Sequence, residues 1–209
     1  AIVTGSTKGI GRAVAEALLA EGAKVSISAR TRAEVDAACA ALGNAHPGRV
    51  LASVCDVLSA YEVEALFREH ADAEAMVHLA GLQGGAEFTA GHTAELLDVN
   101  SRIHLNVLDC WRRFLPHARL VALGSTSVYP DSKGALREEG MLDGPLHGSV
   151  YAYALSKRLL AEGIRAYADQ HGLKGSYLIP CTLFGEHDDF HVETAHVCGA
   201  LIGKLVAAA

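Results

Sequence analysis

Short apolar runs alternate with longer helical patterns along nearly the whole chain of 209 residues. About six strand-length runs are each followed by a stretch in which apolar residues recur every three or four positions. A helix between two strands carries the chain back to the starting end of the sheet, so consecutive strands pair in parallel. The alternation therefore predicts an α/β fold, a doubly wound parallel sheet in three layers, with ligands bound at the carboxyl ends of the strands.

Apolar and turn-forming residues set the expected bounds of each element. The predicted strands are Ala1–Thr4, Lys24–Ala29, Arg49–Cys55, Ala75–Leu79, Arg119–Leu123 and Gly175–Ile179. The predicted helices are Gly9–Glu21, Thr31–Leu42, Ser59–His70, Thr93–Leu115, Ser149–His171 and His191–Val206. Ser59 is the expected N-cap of the third helix, with Glu62 at capping-box spacing. The chain is long enough for one large core and short for two, so a single domain over residues 1–209 is expected.

One segment departs from the alternation. Gly, Pro, Asp and Ser cluster between Gly124 and Ser149, which predicts a long loop. Long loops in compact domains are often functional.

Charge and cysteine content exclude several classes of function. The net charge of −6 at pH 7 gives no basic surface for nucleic acid or an anionic membrane, and no apolar run approaches the ~20 residues of a membrane span. The five cysteines are scattered and form no C-x-x-C pair, a pattern typical of reduced thiols in a cytoplasmic protein. His187 and His191 are four residues apart, but they lack a clear third ligand, so no metal site is predicted.

A glycine-rich segment joins the first strand to the first helix. Its sequence is Thr4-Gly5-Ser6-Thr7-Lys8-Gly9-Ile10-Gly11. Glycines allow a tight turn and a close approach of the backbone to phosphate, and the start of the helix offers unpaired N–H groups. We expect a dinucleotide pyrophosphate to bind here; the alternative is a glycine-rich turn without a ligand.

Arg30 stands about 20 residues past this loop, where a dinucleotide fold often carries an acid for the ribose 2′-hydroxyl. A guanidinium can bind a 2′-phosphate through two hydrogen bonds, and Lys8 adds charge. With no carboxylate at that position to repel a phosphate, the pattern favours NADPH over NADH, unless both cations are ordinary surface charges. Asp56, after the third strand, is a candidate acceptor for the adenine amine or else a turn residue.

Tyr153 and Lys157 are four residues apart in a predicted helix and share one face of it. A nearby ammonium favours the phenolate, so the pKa of Tyr153 is expected below its usual value, toward the working pH. The phenol then suits proton donation to a carbonyl that accepts a hydride. Ser125, at the end of the fifth strand, is expected to bond the same oxygen; the alternative for the pair is two surface residues of a helix.

These motifs together resemble the short-chain dehydrogenase/reductase superfamily, whose fold is of the Rossmann type. Residues 1–70 are similar to classical members, through T-G-x-x-x-G-I-G, S-A-R and Cys55-Asp56-Val57. From about Met76 the chain resembles extended members that modify nucleotide sugars. The segments that carry this likeness are His78-Leu79-Ala80-Gly81, the helix from Asn100 to Cys110, and Ser125-Thr126-Ser127-Val128-Tyr129.

The segment from Tyr177 to Gly185, with the histidines after it, resembles the GDP-L-fucose synthase family, which epimerises and then reduces a GDP-4-keto-6-deoxy sugar. The resemblance implies Ser125, Tyr153 and Lys157 as the reductive set and His196 as an acid in epimerisation. Ser127 stands where that family has its second epimerisation residue, a cysteine, and Thr182 where it has asparagine. A serine is a far poorer base than a cysteine, so this puts epimerisation in doubt and leaves 4-keto reduction untouched.

The resemblance also assigns binding residues. Those implied to contact the cofactor are Gly5, Thr7, Lys8, Gly9, Ile10, Gly11, Arg30, Asp56, Val57, Leu79, Ala80, Gly81, Asn100, Tyr153, Lys157, Pro180 and Leu183. Those implied to contact the substrate are Ser127, Thr182 and His187.

Three functions remain open on the sequence. The leading one is an NADPH-dependent reductase of a nucleotide-linked keto sugar; the others are a classical ketoreductase for a small or acyl carbonyl and a non-catalytic nucleotide sensor. The resemblance further implies a homodimer and a substrate-binding lobe after Ala209.

Overall fold

The computed structural model describes residues 1–132, 134–181, 183, 185, 190–191, 195 and 197–208, with the backbone alone at Ala86. Its strands are β1 Ile2–Thr4, β2 Val25–Ala29, β3 Val50–Val54, β4 Ala75–His78, β5 Arg119–Leu123 and β6 Gly175–Leu178. Its helices are α1 Gly9–Ala20, α2 Arg32–Ala45, α3 Ala60–Glu69, α4 Ala86–Gly91, α5 Thr93–Phe114, α6 Tyr151–His171 and α7 Val197–Ala207.

The strands form one parallel sheet in the order β3-β2-β1-β4-β5-β6. Val3 of β1 lies between Ile27 of β2 and Val77 of β4, so the chain runs outward through β2 and β3 and then crosses to the far side of β1. The carboxyl ends of β1 and β4 therefore flank the point where strand order reverses, which is where open sheets of this kind bind their ligands. The predicted fold class is confirmed.

Two apolar cores, one on each face of the sheet, give the three layers. Helices α1 and α2 cover one face around Leu19, Ile27 and Leu42. Helices α3, α5 and α6 cover the other face, where Phe67 and Trp111 are fully buried. The indole N–H of Trp111 donates to the Ala118 carbonyl oxygen at 2.9 Å, which satisfies its one polar atom inside the core.

The capping chemistry that the sequence predicts for α3 is present in part. The Ser59 hydroxyl accepts from the Glu62 N–H at 3.4 Å, as predicted. The Glu62 carboxylate, however, accepts from the Asp56 N–H at 2.8 Å instead of closing the capping box onto Ser59. Gly172 ends α6 with φ of +68°, a left-handed conformation that glycine adopts without strain.

One helix was not predicted, and several predicted bounds differ from the structure. The sequence pattern missed α4, because six residues that follow Gly84 and Gly85 are too few to show a helical period. Helix α6 begins at Tyr151 and not at Ser149, and α2 continues to Ala45 and does not end at Leu42. Helix α7 is described from Val197, and the predicted start at His191 is followed by residues outside the described part of the chain. The predicted loop after Gly124 is confirmed in outline, but it contains two short 3-10 turns, Thr126–Val128 and Glu138–Gly140.

Candidate active site

The glycine-rich segment forms a tight loop at the carboxyl end of β1. Gly5 and Gly9 have φ of +64° and +56°, values that residues with a Cβ avoid. A Cβ on Gly11 would lie 2.1 Å from the Gly5 carbonyl oxygen, so the first turn of α1 packs directly on the loop. Lys8 is the N-cap residue of α1, but its side chain makes no hydrogen bond to the N–H groups of the first helical turn. The N–H groups at the start of α1 are therefore not capped by a side chain, and such groups can bind a phosphate.

The end of β4 is tied to this loop by Thr4. The Thr4 hydroxyl oxygen accepts from the backbone N–H groups of Leu79 and Ala80 at 3.1 and 3.2 Å. A Cβ on Gly5 would lie 3.3 Å from the Ala80 Cα. These contacts fix the predicted Leu79–Ala80–Gly81 segment beside the phosphate loop.

Asn100 holds the backbone next to that segment. Its side chain is fully buried, its Oδ1 accepts from the Leu82 N–H at 2.7 Å, and its amide donates to the Leu82 carbonyl at 2.9 Å. The expectation of a direct cofactor contact stays a prediction. In the structure the amide holds the backbone that follows β4, and a Cβ on Gly81 would lie 3.1 Å from its oxygen.

The ribose end of the cleft carries an unforeseen carboxylate. Glu34, in the first turn of α2, lies 3.6 Å from the Lys8 ammonium and accepts from the Thr7 hydroxyl at 3.4 Å. Arg30 is exposed at the end of β2. The position after β2 holds Arg30 and no carboxylate, as the sequence analysis states. Helix α2, however, brings Glu34 back to the loop, and only the fold shows that return.

Asp56 forms a turn after β3. Its Oδ1 accepts from the Leu58 N–H at 3.0 Å, while the neighbouring Val57 is buried and its carbonyl accepts from Asn106 at 3.1 Å. The turn role is therefore established by geometry, and adenine recognition by Asp56 and Val57 stays a prediction.

Ser125, Tyr153 and Lys157 meet at the carboxyl end of β5, as predicted. The Ser125 hydroxyl lies near enough to the Tyr153 phenol to lower its pKa, and it lies 2.7 Å from the Ser127 hydroxyl. The buried Lys157 ammonium donates to the Leu123 carbonyl at 2.9 Å and lies 5.8 Å from the centre of the Tyr153 ring. Burial lowers the pKa of Lys157 to about 8.

The pKa of Tyr153 differs from the sequence expectation. Burial raises it above the ordinary tyrosine value, and the hydrogen bond from Ser125 lowers it by less. The expected depression by Lys157 is absent from this arrangement because the ammonium points to the Leu123 carbonyl and not to the phenol oxygen. Tyr153 is thus held as a protonated phenol, the form that donates a proton.

Tyr177 is a member of this cluster that the sequence did not single out. Its hydroxyl is buried and makes no hydrogen bond within the described part of the chain. A Cβ on Gly124, the residue before Ser125, would lie 2.6 Å from that hydroxyl oxygen. An aromatic residue in a strand gives no sign of such a position, because only the pairing of β6 with β5 creates it.

The segment after β6 is described only in part. Pro180 is half-buried and Leu183 exposed, and their cofactor contacts stay predictions. Thr182, His187 and His196 lie outside the described residues. Within the described residues, no group of three or more His, Cys, Asp or Glu side chains could hold a metal ion, and no helix is long and apolar enough to cross a membrane.

A doubly wound sheet, a phosphate loop at its switch point and a Ser–Tyr–Lys cluster define a dinucleotide-dependent class of protein. The profile of the NAD dependent epimerase/dehydratase family matches residues 1–209, and the chain belongs to this family.

Two enzymes and one solved structure illustrate the similarity. GDP-L-fucose synthase of Dictyostelium discoideum is 33% identical over 153 residues, 73% of this chain and 47% of that protein. The dTDP-4-dehydro-6-deoxy-D-allose reductase of a Streptomyces species is 30% identical over 206 residues, 97% and 61% of the two chains. A GDP-L-fucose synthetase from Naegleria fowleri, bound to NADP, superposes with a TM-score of 0.76 at 26% identity, over 99% of this chain and 57% of that one. The chain spans about half the length of the first curated relatives it matches.

Proposed function

We propose that this chain forms the cofactor-binding and catalytic part of an NADPH-dependent reductase of nucleotide-linked 4-keto-6-deoxy sugars. The observation that carries the proposal is the assembly of Ser125, Tyr153 and Lys157 beside the phosphate loop. The names of the similar enzymes, which act on GDP- and dTDP-linked sugars, supply the substrate class.

The loop suits the pyrophosphate of a dinucleotide. The absence of a side chain at Gly11 lets the first turn of α1 pack directly on the loop backbone, and the N–H groups at the start of that helix can bind phosphate. Lys8 and Arg30 are exposed at the ribose end and suit a 2′-phosphate. The NADP-bound relative supports the same choice of cofactor. Bound NADPH would supply the hydride for the carbonyl carbon.

The chain's own residues handle the proton. The Tyr153 phenol donates its proton to the carbonyl oxygen of the sugar, and the Ser125 hydroxyl holds that oxygen by a second hydrogen bond. Lys157 is buried with its ammonium 5.8 Å from the centre of the Tyr153 ring, so it adds a positive charge on the same side of the cleft as the forming phenolate. Reduction therefore needs only groups that the structure brings together.

Reduction without epimerisation is the form we favour. The Ser127 hydroxyl is hydrogen-bonded to Ser125, and a hydroxyl is a far poorer base than the thiolate that a cysteine gives. His196, the other residue of an epimerisation pair, lies outside the described residues.

We further infer a cytoplasmic homodimer that binds its sugar with an additional lobe. All five cysteines are free thiols, which suits a reducing compartment. Leu105 of α5 and Leu155 of α6 are exposed on the helices expected to pair between subunits.

The function is tested by cofactor titration followed by a substrate panel. NADPH should bind more tightly than NADH, and one or more GDP- or dTDP-linked 4-keto-6-deoxy sugars should consume NADPH. Tyr153→Phe should lower kcat about 10²–10⁴-fold, the usual contribution of a general acid, without changing NADPH affinity.

Tyr151→Phe is the matched control, because Tyr151 lies two residues earlier in α6 and is exposed; it should keep full activity. Cofactor binding without turnover of any keto sugar would leave a nucleotide sensor, whereas activity confined to small or acyl ketones would indicate a classical ketoreductase. Full activity of Tyr153→Phe would refute the catalytic assignment.

A further inference from the structure

Tyr177 occupies a position that depends on the glycine before Ser125. In the register of the sheet Tyr177 of β6 stands beside Ala122 of β5. Its ring then covers Gly124, where a Cβ would lie 2.5–2.6 Å from the ring carbons Cζ and Cε1 and from the hydroxyl oxygen. The absence of a side chain at Gly124 therefore lets the Tyr177 hydroxyl reach the backbone next to Ser125.

The hydroxyl is buried there without a hydrogen-bond partner among the described residues. A buried polar group without a partner destabilises a fold, and phenylalanine would fill the same space without that penalty. The Ser125 backbone lies close enough to lower the pKa of Tyr177 slightly, but it offers no acceptor for the proton. The Tyr177 O–H group therefore donates no hydrogen bond to the described residues in this arrangement.

Two neighbouring elements carry groups that act on this hydroxyl. The turn after β5 carries Ser125 and Tyr129, and α6 carries Tyr153. Burial and then the neighbouring Tyr153 raise the pKa of Tyr177 well above its ordinary value, so it keeps its proton wherever the site works. Among these groups, the oxygen that gains negative charge during the proposed reaction is that of Tyr153.

We propose that Tyr177 is a positioning residue for proton transfer, whose hydroxyl donates a hydrogen bond to the Tyr153 oxygen as that oxygen becomes a phenolate. The proposal rests on the proposed function. In the step, the proton leaves the Tyr153 oxygen for the carbonyl oxygen of the substrate while the cofactor's hydride goes to the carbonyl carbon. Tyr177 keeps its own proton and only strengthens its hydrogen bond.

The need for such a donor follows from the pKa of Tyr153. Burial raises that pKa by more than the Ser125 hydrogen bond lowers it, and the Lys157 ammonium is directed at the Leu123 carbonyl. Ser125 and Lys157 therefore stabilise the Tyr153 phenolate only in part. A further hydrogen bond donated to the phenolate oxygen would favour the ionised form.

The test compares Tyr177→Phe with Tyr167→Phe in the full chain labelled with 3-fluorotyrosine, whose phenol is more acidic than tyrosine's. Fluorine NMR follows each of the six tyrosines, and the Tyr153 signal is assigned by its loss in Tyr153→Phe. Tyr177→Phe keeps the ring on Gly124, so packing is preserved. The Tyr153 titration should move up by about one pH unit in Tyr177→Phe.

Tyr167→Phe is the control, because Tyr167 lies on α6 like Tyr153 and packs against the same core as Tyr177. This variant should leave the Tyr153 titration unchanged. A Tyr153 signal that titrates at the same pH, or at a lower pH, in Tyr177→Phe than in the wild type would overturn the proposal. The measurement uses neither substrate nor cofactor, so failure of the reductase assignment in the sugar panel is a separate result. In an active enzyme, the alkaline limb of kcat should move to higher pH by the same amount.

Discussion

The nucleotide end and the catalytic end of the cleft are built from different kinds of group. At the nucleotide end the shape comes from backbone, and the charges are exposed: the side chains of Lys8 and Glu34 are 82% and 44% accessible. At the catalytic end the charge is buried, and Lys157 is only 5% accessible. Exposed charges are screened by water and salt, whereas buried ones act at full strength.

This difference predicts which substitutions each end of the cleft tolerates. The nucleotide end should tolerate changes of side chain but no change in its glycine backbone. The catalytic end should lose function when a single hydroxyl is removed, because each of its polar groups is desolvated.

The largest effect at the nucleotide end is expected from Gly11→Ala. The added Cβ would meet the Gly5 carbonyl oxygen at 2.1 Å and the Ser6 Cα at 2.9 Å, so the loop must move. We expect loss of NADPH binding and a fall of about 1–3 kcal/mol in the free energy of unfolding, measured by cofactor titration and urea unfolding.

Gly9→Ala is the matched control for backbone strain without a collision. Gly9 has φ of +56° and nothing within 4 Å of an added Cβ, so the change should cost about 1 kcal/mol and spare most NADPH binding. Equal NADPH affinity in Gly11→Ala and the wild type would show that the loop is not the phosphate site.

A chain of buried hydrogen bonds runs from Thr4, beside the phosphate loop, to His104 of α5. The Thr4 hydroxyl already accepts two backbone N–H bonds, so its proton goes to His78 Nδ1 at 3.1 Å. His78 Nε2 then donates to His104 Nδ1 at 3.0 Å. Both His78 nitrogens have a partner in the neutral state, whereas His104 Nε2 has none among the described residues. An added proton on His78 would place two donors face to face.

Acid should therefore weaken the fold through these histidines. Burial, with a smaller effect of Lys157, lowers the pKa of His78 to about 3, and burial also lowers that of His104. The unfolded chain binds protons first, near the ordinary pKa of about 6.5, so stability is complete above that pH and falls as pH decreases. Between about pH 7.5 and about pH 5.5 we expect a loss of about 1 kcal/mol for each of the two histidines.

Urea unfolding at the two pH values measures this loss, and His104→Phe isolates one contribution. The variant should lose about 1 kcal/mol less than the wild type over the same interval. His70, whose pKa burial also lowers, contributes equally to both proteins and cancels. An identical loss in the two proteins would mean that His104 accepts a proton in the folded state.

Most of the fold and the centre of the site could be predicted, because both depend on local patterns. Strand and helix periods specify the sheet, and the spacing of Tyr153 and Lys157 on one helix face places them together. The unpredicted features, Glu34 beside Lys8 and Tyr177 over Gly124, depend on contacts between elements distant in the chain. The pKa of Tyr153 likewise depends on burial and on the direction of an ammonium, which no spacing specifies.

The smallest expected effect concerns the exposed carboxylate at the nucleotide end. Glu34→Gln frees Lys8 from its ion pair and removes a negative charge that faces the expected 2′-phosphate. An exposed ion pair contributes about 0.2–1 kcal/mol, so NADPH affinity should rise about two- to five-fold, with NADH affinity unchanged and the gain reduced at high salt. Asp36→Asn, which removes the same charge from an α2 residue paired with Arg32 at 3.8 Å, controls for net charge and should change neither affinity. If Glu34→Gln weakened NADPH binding, the Glu34 carboxylate would be needed to hold Thr7 and Lys8 in place for the cofactor. Exposed charges would then contribute more to binding at the nucleotide end than we infer from their exposure.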